Sequence, residues 1–466
     1  MVFSSQIFIF VFLPFTLLLY YISPKILRNY ILLLASLFFY IWGGVNFLPL
    51  LLTSILINYT FGILISKFKN NVKLSRFTLF IGVILNLSML FYFKYYDFTI
   101  NNINTIFNLS LPLKNIILPI GISFFTFQGM SYIIDVYKKP DTVNKNIFSI
   151  ALYISLFPQL IAGPIVKYKD IDEQIRNRKE TLEHFSYGIE RFIIGLAKKV
   201  IIADVLAEII LWIIPYSSNS IDTATAWLGI TCYTLQIFFD FSGYSDMAIG
   251  LGHMFGFSFM ENFNYPYISK SITEFWRRWH ISLSTWFKEY LYIPLGGNRN
   301  GKTYRNLLIV FFVTGLWHGA SWNFIVWGLW HGLFLIIERL IRDKNWYKKT
   351  PSIIKWIITI LIVMIGWVFF SFPYLSLALD FLAIMFGFVN NTIVTFSISY
   401  FLNFKMIIWL IAAIILSTPL IPNILKKYNS NKYFEIIKTI FLAILLIICI
   451  LFIVNSTYSP FIYFQF

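Results

Sequence analysis

Five histidines occur in the 466 residues, His184, His253, His280, His318 and His331, and the last three fall in one stretch of the chain. Imidazole is the side chain best suited to take a proton near neutral pH, so these three are the first candidates for general-base chemistry. His318 sits in VTGLWHGASWNF, where an apolar run ends at Trp-His-Gly and a second begins behind Ser321, a residue suited to cap a helix. Irregular backbone at membrane depth survives only where it faces protein or water, so a histidine at such a break can line a cavity. The plain alternative is an inter-helix hydrogen bond. His331 follows His318 by 13 residues, which on one helix places the two about 140° apart and about 20 Å along the axis. They can serve one atom only if the helix is broken. His280 precedes His318 by 38 residues, enough for the chain to cross and return, so His280 and His318 are the preferred pair. His184 follows a polar loop and reads as a solvated bystander, and His253, beside Gly252, reads as a packing residue.

Other motifs offer less. Gly296 to Thr303 matches G-x-x-x-x-G-K-[ST] letter for letter. A phosphate loop of that kind needs a parallel strand before it and an α/β sheet around it, and Pro294 in an apolar, sheet-free context argues against both. Arg299 and Lys302, close to a helix start, remain candidates for holding the phosphates of another ligand, against the plainer reading of a basic turn. No G-x-S-x-G elbow and no H-E-x-x-H pair is present, so neither a serine nucleophile nor a zinc site is expected. Cys232 and Cys449 lie in separate apolar runs and support neither a disulfide nor a thiolate metal site. Asp240 and Asp246, around FSGYS, either shape a tunnel or pair with Lys or Arg, and the structural reading is preferred. The segment Ser271–Gly301 mixes charge and aromatics too densely to cross lipid directly. It is expected as an amphipathic or broken helix, with Trp276, Trp279 and Trp286 at headgroup depth and Arg277, Arg278 and Lys288 toward water or anionic groups. A juxtamembrane helix bound to anionic lipid is the alternative.

The elements that must hold these residues follow from composition. Hydrophobic residues make up 58% and charged ones only 12%, a deficit of charge that excludes an ordinary soluble protein. The net charge of 37 − 21 = +16 comes from basic residues in short connections between apolar runs, the pattern of a multi-span membrane protein and not of a nucleic-acid binder. Candidate spans lie near 6–22, 27–43, 47–65, 77–95, 116–136, 147–162, 186–215 (interrupted), 224–251, 305–318, 322–341, 353–373, 376–390, 404–424 and 437–455. The fold class expected is therefore an all-α integral membrane protein, a bundle of roughly 10 to 13 transmembrane helices with re-entrant or amphipathic helices around a central tunnel. It is read as one domain over 1–466, with chemistry at about 118–340 and helical support over 353–466. The run Ile7–Ile22 reads as an uncleaved first helix, and the connection carrying Lys67, Lys69, Lys73 and Arg76 should face the cytoplasm.

The strings EFWRRWHISLSTWFKEYLYIPLGGNRNGK and GLWHGASWNFIVWGLWHG, with GISFFTFQGMSYIIDVY, FPQLIAGPI, GLAKKVIIAD and DFSGYSDMAIGLG, resemble the membrane-bound O-acyltransferase family in its bacterial, alginate O-acetyltransferase-like branch. The resemblance covers nearly the whole chain. It implies that His318 matches the family's near-invariant histidine and His280 its second, upstream polar residue. It further implies an acetyl group moved from cytoplasmic acetyl-CoA, a donor substrate and not a bound cofactor, to an extracytoplasmic polysaccharide. The other expected partners are membrane lipid and a separate extracytoplasmic acetyltransferase of esterase-like type, and the expected location is the bacterial cytoplasmic membrane. On this reading His318 is the general base, and His280 either orients the acceptor or donates a hydrogen bond to the developing oxyanion. D-alanyl transfer to teichoic acid, or transport of a lipid-linked saccharide, are the alternatives.

Overall fold

A computed structural model of the chain describes residues 1–214, 221–299, 301–389, 397–427, 432–455 and 461, and the regular elements among them are all helices. Two compact units emerge, residues 1–192 with 245–260, and residues 193–244 with 261–466.

The first unit holds α1 (Phe8–Ile22), α2 (Lys25–Gly43), α3 (Val45–Lys67) and α4 (Val72–Phe107), of which the last three are long and apolar enough to cross a membrane. Asn71 starts α4 by accepting the Leu74 amide hydrogen at 3.1 Å, which satisfies one of the donors every helix start leaves over. With no water to solvate them, polar side chains inside such a bundle must find each other. Asn58 of α3 and Asn86 of α4 do so through reciprocal amide bonds of 3.0 Å each. Then come α5 (Ile122–Lys138), α6 (Ile147–Ser155), α7 (Tyr168–Asn177) and the start of α8 (Leu182–Ala197). Gly129 of α5 lies against the Asn58 amide, where a Cβ would overlap it. The polar helix α7 buries Tyr168, Ile171 and Ile175, one stripe at helical spacing. In the connection after it, Glu180 accepts the Tyr20 hydroxyl at 2.6 Å and pairs with Arg28 at 3.1 Å, while Arg178 donates to the same Tyr20 oxygen at 2.9 Å.

The second unit begins with a π-helical turn, Lys198–Ala203, and α9 (Asp204–Ile213). It includes most of α10 (Thr223–Met254), whose 32 residues extend about 48 Å. Two short helices follow, α11 (Ile272–Arg278) and α12 (Ile281–Phe287), the latter running into a π-turn at Lys288–Tyr292. After the glycine-rich loop come α13 (Thr303–His318), α14 (Trp322–Ile341), α15 (Ser352–Ser371), α16 (Leu375–Met385), α17 (Phe404–Leu416) and α18 (Tyr433–Asn455). Of these, α14, α15 and α18 qualify as spans, giving six among the described residues, with α1, α16 and α17 as shorter apolar helices. The protein is thus an all-α, multi-pass membrane protein.

Several apolar stretches in the sequence prove to be shorter or more polar helices. The stretch 147–162 is not one helix, because α6 stops at Ser155 and a separate turn, Phe157–Leu160, opens with Pro158 at its start. The stretch 116–136 becomes helical only at Ile122, behind Gly121, whose left-handed backbone presses on the Leu160 carbonyl and leaves no room for a side chain. The expected interruption within 186–215 is the π-turn at Lys198–Ala203. Of the amphipathic or broken helix expected in this part of the chain, the structure shows the broken one, residues 272–278 and 281–292 with the break at His280.

Candidate active site

All three clustered histidines belong to the second unit and are almost wholly buried, with exposures of 0%, 2% and 0% for His280, His318 and His331. His318 is the last residue of α13, and Gly319 leaves the helix in extended backbone. Ser321 takes the N-cap position of α14, though its hydroxyl makes no capping bond. The sharp reversal depends on small residues: a Cβ on Gly315 would strike the Phe324 carbonyl, and one on Gly328 the Phe311 carbonyl. Backbone contact at those two glycines brings α13 and α14 as close as helices can pack and places His318 at the bend.

Aromatic rings wall the imidazoles. His318 meets Trp327 edge-to-face at 4.8 Å and Phe370 at 5.2 Å. Trp317 lies 6.1 Å from the His280 ring and 4.9 Å from the His318 ring, so one indole contacts both members of the preferred pair. His331 reaches the group through Trp327 at 5.3 Å and stacks on Phe275 at 6.1 Å. The break in the helix at 319–321 is what allows His318 and His331 to share Trp327 despite their 13-residue spacing. Gly366 of α15 lies against His331 Nε2, where a side chain would not fit.

His280 stands at the break between α11 and α12 with φ +43°, a left-handed conformation uncommon outside glycine and asparagine. Ser271 caps α11 by accepting the Glu274 amide hydrogen at 3.0 Å, and Glu274 accepts from Lys270 N at 2.9 Å. The strained turn is clamped by Asn262. Its carbonyl accepts from Ile281 N at 2.9 Å, and its Oδ1 accepts from Ser282 N at 3.2 Å and Ser282 Oγ at 2.9 Å. The same Oδ1 lies 3.1 Å from His280 Nδ1. Because a backbone N–H can only donate, the Asn262 atom is the oxygen and His280 Nδ1 must carry the proton. His280 Nε2 is then the nitrogen with the lone pair. In the neutral ring it accepts hydrogen bonds, which favours orienting a hydroxyl over donating to an oxyanion. Sequence reasoning missed Asn262, and its one signal is an asparagine in the irregular ENFNYP connection.

The glycine-rich loop follows a π-helical turn and not a strand, which removes the phosphate-loop reading. Gly296, Gly297 and Gly301 all have positive φ. Arg299 and Lys302 are both exposed there, and Asn300 lies outside the described residues. The loop is tied down by Asn298 Oδ1, which accepts from Tyr292 Oη at 2.6 Å and from Arg339 Nη1 at 3.1 Å. A cavity of about 260 Å³ opens between α11–α12 and α13. It reaches Thr314, one turn before His318, and Trp276, whose ring touches Trp327, but His318 itself does not line it. His184 and His253 belong to the first unit, their rings 5.4 Å apart. Asp240 pairs with Lys199 at 2.6 Å and Asp246 with Arg191 at 2.7 Å, the cationic partners expected of them.

The sequence profile of the membrane-bound O-acyltransferase (MBOAT) family matches residues 37–376. The protein called "Probable alginate O-acetylase AlgI" in Azotobacter vinelandii is 46% identical over 84% of this chain and 79% of its own length. The peptidoglycan O-acetyltransferase of Helicobacter pylori is 38% identical over 100% of this chain and 98% of its own. The teichoic acid D-alanyltransferase of Bacillus subtilis is 30% identical over 56% and 70%.

Proposed function

From the premise that this chain belongs to the membrane-bound O-acyltransferase family, within its alginate O-acetylase-like branch, we propose that it transfers acetyl from cytoplasmic acetyl-CoA to a hydroxyl destined for an extracytoplasmic polysaccharide. The chain is an O-acyltransferase, and the relatives' names put cell-surface polymers at the receiving end. Acetyl is favoured over D-alanine because the acetyl-transferring relatives match more of the chain at higher identity. An extracytoplasmic esterase-like partner completes delivery to the polymer, and the bacterial cytoplasmic membrane is the proposed location.

The observation that carries the chemistry is the pair of buried imidazoles that both pack against Trp317. His318 takes the proton from the acceptor hydroxyl as its oxygen attacks the thioester carbonyl. The new C–O bond forms, the C–S bond breaks, and the thiolate leaves with the proton His318 returns. His280, through Nε2, accepts a hydrogen bond from a neighbouring hydroxyl of the acceptor and so aims the attacking one. Proton transfer of this kind is worth about 10²–10⁴-fold in rate. Arg299 and Lys302 are proposed to meet the phosphates of the donor. The test is purified protein in liposomes with labelled acetyl-CoA on one face and glycan acceptor on the other. Label appearing in the acceptor, with thiol released, supports the reading. Saccharide crossing without thioester consumption replaces it with transport.

A further inference from the structure

The cavity beside α13 carries an unbalanced charge. Arg277 and Lys288 both line it, both are exposed, and neither forms an ion pair or hydrogen bond among the described residues. The nearby acid Glu274 is committed to Arg278 at 2.9 Å, and Glu338 accepts from Thr273 N at 3.1 Å. Two cations therefore face a largely hydrocarbon wall without a counter-ion. Trp276, 8% exposed, forms part of the apolar wall.

The shape of the cleft selects among anions. At about 260 Å³ it is smaller than the roughly 300–1,000 Å³ of pockets that enclose a whole small ligand, so its occupant is only partly enclosed. The remainder must lie along what adjoins it. Leu307 and Phe311 line the cleft, while Tyr304, Leu308 and Phe312, beside them on the same helix, form an exposed apolar stripe. In a membrane protein that stripe faces acyl chains. A ligand with an anionic head and a hydrocarbon tail meets both features together.

We propose that this cleft seats one anionic phospholipid from the surrounding bilayer. Arg277 and Lys288 hold the phosphate, and one acyl chain lies against Leu307 and Phe311. The bound lipid braces α11–α12 against α13, the elements that carry His280 and His318. Because it concerns lipid and not substrate, this inference stands whether or not acetyl is the group transferred.

The experiment is native mass spectrometry of the full chain in mixed micelles with phosphatidylglycerol or phosphatidylcholine, with thermal midpoints measured in parallel. Expected is one retained phosphatidylglycerol per chain, a raised midpoint with that lipid only, and retention reduced at least tenfold in the R277Q/K288Q double variant. Leu307→Trp, which fills the chain slot without changing charge, should reduce retention as well. Equal retention of the two lipids, or undiminished retention in the double variant, overturns the proposal. So does displacement of the lipid by coenzyme A at micromolar concentration, which would assign the same phosphate chemistry to a soluble donor.

Discussion

Asn262 Oδ1 lies 3.1 Å from His280 Nδ1 and simultaneously accepts the Ser282 backbone N–H, which fixes the proton on Nδ1 and leaves the lone pair on Nε2. Asn262→Ala removes that constraint without touching the ring. The expected result is a 10- to 100-fold fall in kcat with little change in donor KM, a scale known for lost supports of ligating histidines. Because φ is +43° at position 280, the informative substitution there is His280→Asn, which tolerates the left-handed turn, and not His280→Ala, which adds strain. His280→Asn should keep a wild-type thermal midpoint while losing at least as much activity as Asn262→Ala.

His318→Gln keeps a polar side chain of similar length in the space bounded by Trp327 and Phe370. Acetyl transfer from labelled acetyl-CoA should drop by about 10²–10⁴-fold while the protein still inserts and purifies as a folded chain. Transfer at the wild-type rate by this variant would falsify the general-base role.

Much of this was legible in the residues. Charge deficit and apolar runs require an all-helical membrane bundle. The density of charge in Ser271–Gly301 calls for an amphipathic or broken helix, and the structure breaks it at His280. What periodicity hides is span length: α5 and α13 are buried in the bundle through polar and small residues, so they are apolar stretches in part and reach only 17 and 16 residues. The break after His318 was legible in Trp-His-Gly and Ser321, but that it brings His331 to the same indole was not, since angular arithmetic on one helix no longer applies across Gly319. Asn262 was invisible because its role depends on a tertiary contact 18 residues away and not on local spacing.

Acid should weaken the first unit at the Tyr20, Arg28, Arg178 and Glu180 cluster. Burial alone would raise the Glu180 carboxyl, but hydrogen bonds from Tyr20 and Arg28 outweigh it and hold the pKa below its ordinary value. A carboxyl depressed in the folded state adds stability that is present above the unfolded pKa and is lost as pH falls through the folded one. Thermal midpoints taken from pH 7 downward should therefore decline below about pH 4.5, and Glu180→Gln should be less stable at pH 7 with a shallower decline.

Gly315 and Gly328 should tolerate no side chain. At each, the nearest atom to an added Cβ is a backbone carbonyl, of Phe324 and Phe311 respectively, and backbone cannot swing away as a flexible side chain can. Overpacking of this kind costs about 1–3 kcal/mol. Gly315→Ala should lower the thermal midpoint and, because His318 lies three residues further along α13, also lower kcat. Gly301→Ala, where an added Cβ meets nothing but φ is +69°, should lose about 1–2 kcal/mol from the left-handed backbone alone.

Lys199 supplies the last prediction. Its Nζ lies 2.6 Å from Asp240 and 2.8 Å from Asp204, and the side chains of Lys199 and Asp240 are 4% and 1% exposed. Removing one partner leaves a charge stranded in a low-dielectric interior, at a cost of about 3–5 kcal/mol, whereas replacing the group with apolar residues of like volume can be neutral. Lys199→Met should thus be strongly destabilising, and adding Asp240→Leu and Asp204→Leu should restore much of the midpoint. If the triple variant refolds yet transfers acetyl at the wild-type rate, the cluster is a structural brace. If it refolds but loses transfer, the charges act on the reaction itself, and the π-turn at Lys198–Ala203 that aims Lys199 becomes part of the catalytic architecture.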